Sequence, residues 1–330
     1  MQFNHLKKTF LASVYGNDKY EYHAQGKDFI FNHASAITNP SEKLTLATTW
    51  RGYFGPQLDA ASENIGSILK SYSNFCKEIG ITYEMMRLDP ISGQLSNYNA
   101  SSFQKIILGQ HLAVLSVPLD SCTYLDSLQP ECRRNVRRGK ELYKSEILAP
   151  DDFKKITFAF LLYRNTMERV QANNKWFLTL QQFKGLASSP GFTTLLILNS
   201  LREPVAMAGL LQSGTTVGAL LIASILNTNE KYVADFLYHS IVTHVMRSMG
   251  GVTHINFGGG RTISPADSLL KFKKKYTRGE TVQSKYLGII HDPEIFFATP
   301  IFSEHLGYEE PYVKILKQAF SLEQHYMKWR

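Results

Sequence analysis

Cysteine is scarce in this chain, which has three in 330 residues. Cys76, Cys122 and Cys132 lack the close spacing of a zinc site or of a disulfide framework. Ten histidines are scattered along the chain, and His239 and His244 miss the spacing that places two metal ligands on one helix face. We therefore expect reduced, structural cysteines and no bound metal.

Long hydrophobic runs and nucleophile motifs are also missing. The longest apolar stretch, residues 205–226, is broken by residues 212–216, which is typical of two strands rather than a membrane span. Residues 1–8 lack the apolar core of a secretory signal, so we expect a cytoplasmic protein. There is no G-x-S-x-G motif and no G-x-G-x-x-G motif, which argues against a serine hydrolase and a dinucleotide fold.

Acidic residues are outnumbered, with 28 Asp and Glu against 36 Lys and Arg, a net charge of +8 and a pI near 9.2. This balance favours an anionic partner, such as RNA, a phosphate-bearing substrate or the inner surface of an acidic membrane. We expect no contact with DNA. A hydrophobic fraction of 44% with 19% charged residues is typical of a globular enzyme and excludes a mainly disordered chain.

The densest basic cluster lies in residues 133–140, and a helical wheel places its four arginines on one side. These are Arg133, Arg134, Arg137 and Arg138. An ordinary solvated helix face is one interpretation. Because arginine forks suit phosphate, contact with tRNA or a phosphorylated substrate is the other.

The order of predicted elements indicates two domains. A proline turn at residues 148–152 precedes a new helix over residues 152–170, which predicts domains at 1–149 and 150–330. In the second half, strands at 193–199, 205–211 and 217–224 precede a helix at 233–249 and a strand at 252–257. This is an α+β order of mostly antiparallel strands flanked by helices. The first half has strand candidates at 43–48 and 112–118 and a helix at 63–79, and could be a divergent copy.

The most informative segment follows the strand at 252–257. Gly258, Gly259 and Gly260 predict a tight turn, which could also form a nest of backbone N–H groups for an anion, with Arg261 beside it. Ser264 is the expected N-cap of the next helix, with proline at the first helical position.

On that helix the apolar arc contains Leu269, Leu270, Phe272 and Tyr276, and Lys273 falls inside it. The lysine could extend its ammonium to water along the apolar surface. Alternatively, it is a cation held where negative charge develops during a reaction.

Other candidate residues carry two interpretations each. Asp267 could orient an amine or take its proton, or could cap the helix. Arg164 and Arg169 could reach a substrate phosphate or lie on the surface. Tyr53 and Gly55 belong to a glycine- and proline-bounded loop that could line a pocket or fill the core.

An ordered set of motifs resembles the Fem family of aminoacyl and acyl transferases. The matching segments are residues 52–56, 134–138, 166–169, 257–261, 267–269, 271–276 and, more weakly, 291–294. The resemblance implies two tandem acetyltransferase-like domains and transfer of an acyl group to an amine, with no bound cofactor. In the best-known branch, aminoacyl-tRNA donates to a peptidoglycan precursor. By this resemblance, Lys273 and Phe272 would hold the donor ester and its developing oxyanion.

The donor is open between aminoacyl-tRNA and acyl-CoA. Acetyl-CoA enzymes of this fold bind pyrophosphate at a glycine-rich turn between strand and helix, but residues 226–235 contain no glycine. This departure and the net charge favour aminoacyl-tRNA. The alternatives are acyl-CoA-dependent N-acetylation of a sugar nucleotide or small amine, and a non-catalytic protein that binds RNA or phosphate.

Overall fold

The computed structural model describes residues 19–26, 29–41, 44–48, 56–60, 65–91, 95, 104–118, 120–172, 177–225 and 230–298. These residues form twelve strands: β1 (Lys19–Gly26), β2 (Phe29–Ser41), β3 (Leu44–Thr48), β4 (Gln57–Ala60), β5 (Tyr83–Arg87), β6 (Gln104–Ser116), β7 (Lys144–Ile147), β8 (Phe192–Leu198), β9 (Pro204–Ser213), β10 (Thr216–Ser224), β11 (His254–Gly259) and β12 (Thr281–Ile290).

The same residues form eight helices: α1 (Ile65–Glu78), α2 (Ser121–Ser127), α3 (Pro130–Leu142), α4 (Phe153–Arg169), α5 (Leu180–Ala187), α6 (Val233–Ser248), α7 (Ser268–Lys274) and α8 (Pro293–Ala298). Within the described ranges, no helix combines the length and the apolar character needed to cross a bilayer.

The chain divides into two compact units, and their boundaries differ from the expected halves 1–149 and 150–330. Gln110–Val282 form what we call the continuous unit. The described residues of 19–109 and 283–298 form the split unit. Helix α3 illustrates the difference, because its Val136 shares a core with Phe236 of α6, on the far side of the expected boundary.

The continuous unit is a six-stranded mixed sheet in the order β6, β11, β10, β9, β8, β7. Strands β10 and β11 are parallel, and every other neighbouring pair in this order is antiparallel. Helix α6 makes the crossover between β10 and β11, since a parallel pair cannot be joined by a hairpin. Its buried residues, including Leu237, Ile241 and Val245, join α3 and the sheet in one core.

The split unit repeats this order of pairing. Strand β2 pairs antiparallel with β1, β3 and β4, α1 then crosses over to β5, which is parallel to β3, and β12 closes the series antiparallel to β5. Its core joins Leu69 and Tyr72 of α1 to Leu287 and Ile289 of β12. The predicted α+β class, with mixed, mostly antiparallel pairing and flanking helices, is confirmed.

Candidate acyl-transfer site

The sheet of the continuous unit opens where β10 and β11 diverge. Their parallel pairing covers only Thr216–Gly218 on β10 and His254–Asn256 on β11. Both strands continue beyond it, to Ser224 and Gly259 respectively. Ligands of mixed sheets bind outside the carboxyl ends of such strands. The end of β11 is therefore the candidate location of a ligand site.

The glycine turn at this end has a structural reason for each glycine. Gly258 has φ +79° and its N–H donates to Asn256 Oδ1 (2.8 Å), at a register shift between β11 and β6. A Cβ on Gly259 would meet the side chain of Gln110, and one on Gly260 would meet the side chain of Asp267. All three positions therefore need glycine for the turn itself.

Asp267 is the N-cap of α7, so the helix begins three residues later than the expected cap at Ser264. Its Oδ1 accepts the N–H groups of Leu269 and Leu270 at 2.9 and 3.1 Å. Its Oδ2 accepts the N–H groups of Arg261 and Thr262 and the Thr262 hydroxyl, each at 3.1 Å. Burial raises the pKa of Asp267, but these hydrogen bonds outweigh burial and hold the pKa below its ordinary value.

These bonds change the interpretation of the turn as an anion nest. The N–H of Gly258 is taken by Asn256, and those of Arg261 and Thr262 are taken by Asp267. The anion bound by the turn is thus the carboxylate of the chain itself. The geometry assigns Asp267 to capping, the alternative interpretation of its sequence position. The side chain of Arg261 is exposed.

Lys273 does not extend to water but lies partly buried on α7. Its Nζ donates to the carbonyl oxygen of Gly259, the last residue of β11, at 2.8 Å. Burial lowers the pKa of Lys273 to about 8, against a smaller raising effect of Asp267. An ammonium has three N–H donors, and the bond to Gly259 uses one. The lysine is therefore a positioned cation at the opening of the sheet.

Phe272 belongs to an aromatic cluster behind this cation. Its ring meets those of Tyr238 and Tyr276 edge-on, with centroids 5.5 and 5.4 Å apart. Tyr238 also stacks on Tyr276 at 4.5 Å and packs against Phe257 of β11. The partly buried Phe272 thus ties α7 to α6 and β11, which fixes the backbone of Lys273.

Asp235 in the first turn of α6 joins the basic helix α3 to the end of α7. The Tyr276 hydroxyl donates to Asp235 Oδ1 (2.8 Å), and the Asn135 amide lies 3.4 Å from Asp235 Oδ2. The Tyr124 hydroxyl donates to the Tyr276 carbonyl. One network of contacts in the continuous unit therefore connects the arginine helix with the segment that carries Lys273.

The four arginines of α3 divide into two kinds. Arg133 donates to the Asp126 carbonyl, and Arg138 donates to the Tyr232 hydroxyl (3.0 Å) and lies over its ring. Arg134 and Arg137 are exposed, and no hydrogen bond or ion pair to either occurs within the described residues. The latter two are the free cations of the predicted phosphate-binding stripe.

The remaining predicted residues have different positions. Arg164 is exposed and pairs with Glu168 one turn along α4 (3.0 Å), as expected for a surface residue. Arg169 donates to the carbonyl oxygen of Ser224 (3.0 Å), at the carboxyl end of β10. Tyr53 and Gly55 lie outside the described residues.

Asn256 is the residue that sequence inspection missed. It is buried, its Oδ1 fixes the turn, and its Nδ2 has no hydrogen-bond partner within the described residues. It is the last residue of β11 that pairs with β10, directly before the two strands diverge. A polar residue inside an otherwise apolar strand, two positions before a glycine, is the signal that could have found it.

One group in the split unit has the composition of a metal site. The ligand atoms of Cys76, Glu84 and His291 all lie within 4.8 Å of one another. The Tyr72 hydroxyl donates to Glu84 (2.6 Å), and the Ser73 hydroxyl lies 2.9 Å from His291 Nδ1. Hydrogen bonds thus account for much of this buried group.

Comparison with known proteins gives a similarity of fold. No family model matches the chain, and no curated protein sequence does either. The structure is similar to FemX, with a TM-score of 0.62 and 14% identity over 86% of this chain and 89% of FemX. It is also similar to L-PGS from Bacillus licheniformis, with a TM-score of 0.61 and 12% identity over 96% of each chain.

A third similar structure is the C-terminal domain of a provisionally named lysylphosphatidylglycerol synthetase from Agrobacterium fabrum, with a TM-score of 0.58 and 12% identity over 86% of each chain. The chain shares the fold of FemX and of these two other structures. The predicted resemblance to this fold is confirmed. Sequence identities of 12–14% show a shared fold and nothing about the activity.

Proposed function

We propose that this protein is an N-acyltransferase that transfers an aminoacyl group from aminoacyl-tRNA to an amine of a phosphate-bearing acceptor, such as a cell-wall precursor. The observation that carries the proposal is the positioned ammonium of Lys273 at the carboxyl end of β11. The fold shared with FemX and L-PGS supports aminoacyl transfer to a cell-wall or lipid substrate as the class of reaction.

In the proposed reaction the neutral acceptor amine attacks the ester carbonyl carbon of the donor. A C–N bond forms and the carbonyl oxygen becomes negative, and Lys273 donates a hydrogen bond to this oxyanion. The intermediate then collapses, the ester C–O bond breaks and the ribose oxygen of the tRNA leaves. The amine loses one proton and the ribose oxygen gains one. Phe272 holds α7 in place, so its role is positioning.

The helix ends of the continuous unit favour aminoacyl-tRNA over acyl-CoA. Pyrophosphate binds at helix N-termini through free N–H groups and the helix dipole. The first turn of α6 carries the carboxylate of Asp235, which accepts bonds from Tyr276 and Asn135 and repels a phosphate there. The exposed Arg134 and Arg137 of α3, by contrast, suit a polyanion such as RNA.

The proposed donor also indicates where in the cell the protein acts. Charged tRNA is a cytoplasmic substrate, so we propose a cytoplasmic protein. A phosphate-bearing acceptor at the inner membrane surface would be reached through the same positive net charge of +8.

The test compares single-turnover transfer by the full chain and two lysine variants. The donors are a bulk pool of radiolabelled aminoacyl-tRNA and radiolabelled acetyl-CoA, and the acceptors are nucleotide-linked and lipid-linked muropeptides that carry a free amine. We expect product from aminoacyl-tRNA, and a loss of on the order of 100- to 1,000-fold for Lys273→Met. Lys271→Met is the matched control, because Lys271 is exposed on the same helix.

Three outcomes would contradict the proposal. Transfer from acetyl-CoA but not from aminoacyl-tRNA would show that the donor is an acyl-CoA. Retained RNA binding without transfer from either donor would favour a non-catalytic protein. Equal transfer rates for the wild type and a stably folded Lys273→Met variant would show that Lys273 has no role in the reaction.

A further inference from the structure

A second concave site lies in the continuous unit, between one face of α6, the end of α3 and the edge strand β7. Its volume is about 380 Å³, which is within the range of pockets that hold small molecules. It is lined by Lys140 of α3, Ser145 and Glu146 of β7, and His239, Thr243 and Arg247 of α6, among others. None of these residues belongs to the proposed acyl-transfer site.

Helix α6 separates this cavity from Lys273 and its aromatic cluster. Tyr238 packs against Phe272 and Tyr276, and the following residue, His239, lines the cavity. At about 100° per residue, Thr243 and Arg247 lie about 140° and 180° around the helix from Tyr238. The two sites therefore use opposite faces of one helix.

The charges of the cavity favour an anion. Lys140 and Arg247 contribute two cations, and Glu146 is the single lining carboxylate. The carboxylate of Glu146 is already in contact with the ammonium of Lys155, which lies on α4. The two cations thus have no carboxylate of their own within the cavity lining.

Buried His239 responds to this positive field. Burial, followed by the charges of Lys140 and Arg247, lowers the pKa of His239 to about 4, so the ring is neutral at physiological pH. Its Nδ1 is buried without a hydrogen-bond partner among the described residues, and its Nε2 lies 3.4 Å from the Thr243 hydroxyl. A neutral imidazole can donate one hydrogen bond at no cost in charge.

The rest of the lining combines hydroxyl donors with an apolar wall. Ser145, Ser240 and Thr243 supply hydroxyls, while Leu195 and Phe236 supply the apolar surface. A guanidinium, an ammonium and several hydroxyls together match the three oxygens of a phosphate monoester. The apolar wall matches a non-polar body attached to that phosphate.

We propose that this cavity is a second ligand site, which binds a phosphate monoester with an apolar body. Lys140 and Arg247 hold the phosphate, the hydroxyls of α6 and β7 orient it, and Leu195 and Phe236 contact the apolar body. A ligand here would contact the face of α6 opposite Tyr238. It would therefore bind against the helix that carries part of the aromatic cluster positioning Lys273.

The test uses the full chain and phenyl phosphate, inorganic phosphate and phenol as probes. Binding is followed by calorimetry and by the ring-nitrogen NMR signals of His239, assigned with His239→Gln. Phenyl phosphate should bind at least tenfold more tightly than inorganic phosphate or phenol. It should also raise the pKa of His239, because a bound anion offsets the two cations.

The variant is the double substitution Lys140→Gln with Arg247→Gln. Its control is Lys144→Gln, because Lys144 is an exposed lysine on β7 outside the cavity lining. Both cations are exposed, so the variant should fold. We expect at least a tenfold loss of phenyl phosphate affinity in the double variant and none in the control. Competition by phosphatidic acid vesicles would assign the phosphate to a lipid headgroup, and its absence to a soluble ester.

Equal affinity in the double variant and the wild type, or binding that leaves the His239 signals unmoved, would overturn the site. Inorganic phosphate binding as tightly as phenyl phosphate would overturn the role of the apolar wall. Binding is measured without acyl transfer, so these outcomes are independent of the proposed reaction.

Discussion

Replacing Asp267 by asparagine separates a capping role from a catalytic one. The carboxylate of Asp267 accepts four backbone N–H groups, two from α7 and two from the turn, in addition to the Thr262 hydroxyl. An amide has one acceptor oxygen, so either the two helix donors or the two turn donors face an NH₂ group instead. At a net value of about 1–1.5 kcal/mol for each hydrogen bond, the loss is about 2–3 kcal/mol at pH 7.

The lowered pKa of Asp267 also predicts how the effect of the substitution on stability changes with pH. Because hydrogen bonds hold the pKa of Asp267 below its ordinary value in the folded chain, ionisation of Asp267 stabilises the fold above the unfolded pKa of 3.8. This contribution is lost as the pH falls through the folded pKa. The difference in the free energy of unfolding between wild type and Asp267→Asn should therefore be largest near pH 7 and shrink toward pH 3.

Urea unfolding followed by circular dichroism at pH 7 and pH 3 measures this difference. Asp152→Asn is the matched control, because Asp152 caps α4 and accepts a single backbone bond, from Lys155. It should cost less than about 1 kcal/mol, since asparagine is itself a good N-cap. If Asp267→Asn unfolds at the wild-type urea concentration yet abolishes acyl transfer, Asp267 acts in the reaction and our reasoning is wrong.

Three further predictions concern the same unit. With a pKa of about 8 for Lys273, its protonated fraction falls from about 90% at pH 7 to about 10% at pH 9, so single-turnover transfer should fall about tenfold through this step. Lys273→Arg should remove that decline, and an unchanged decline would assign it to another group. Gly258→Ala should destabilise the chain by about 1–2 kcal/mol in urea unfolding, because φ is +79° at that position; no loss would mean that the turn relaxes. Arg134→Gln with Arg137→Gln should weaken tRNA binding and reduce the slope of its salt dependence by about 2, as seen in filter-binding titrations; an unchanged slope would place the RNA elsewhere.

Periodicity predicted much of the continuous unit. The helix expected at 152–170 is α4 at Phe153–Arg169, and the three strands expected from 193 to 224 are β8, β9 and β10. Helix α4 buries one apolar face, and its apolar period reports that burial directly. Strands β8 and β9 are buried along most of their length, and each reads as a short continuous apolar run between turn residues.

Periodicity could not predict the boundaries between the two units. Strand β12 pairs with β5, about 200 residues earlier in the chain, and periodicity contains no information about which strand pairs with which. Short helices α2 and α5 were also missed, because one or two turns show too little period. Helix α7 begins at Ser268 rather than after Ser264, since a carboxylate with five donors around it is the stronger cap.

The hydrogen bonds of the glycine turn explain why a side chain, and not the backbone, supplies the positive charge at the end of β11. A glycine turn alone suggests anion binding by backbone N–H groups, but Asn256 and Asp267 have taken those of Gly258, Arg261 and Thr262. A ligand oxygen that becomes negative at the end of β11 therefore meets the ammonium of Lys273 rather than a nest. Because Asp267 both caps α7 and supports the charge of Lys273, the turn serves the proposed reaction by holding its cation. Loss of the lysine should then be far more damaging to transfer than loss of any single hydrogen bond within the turn.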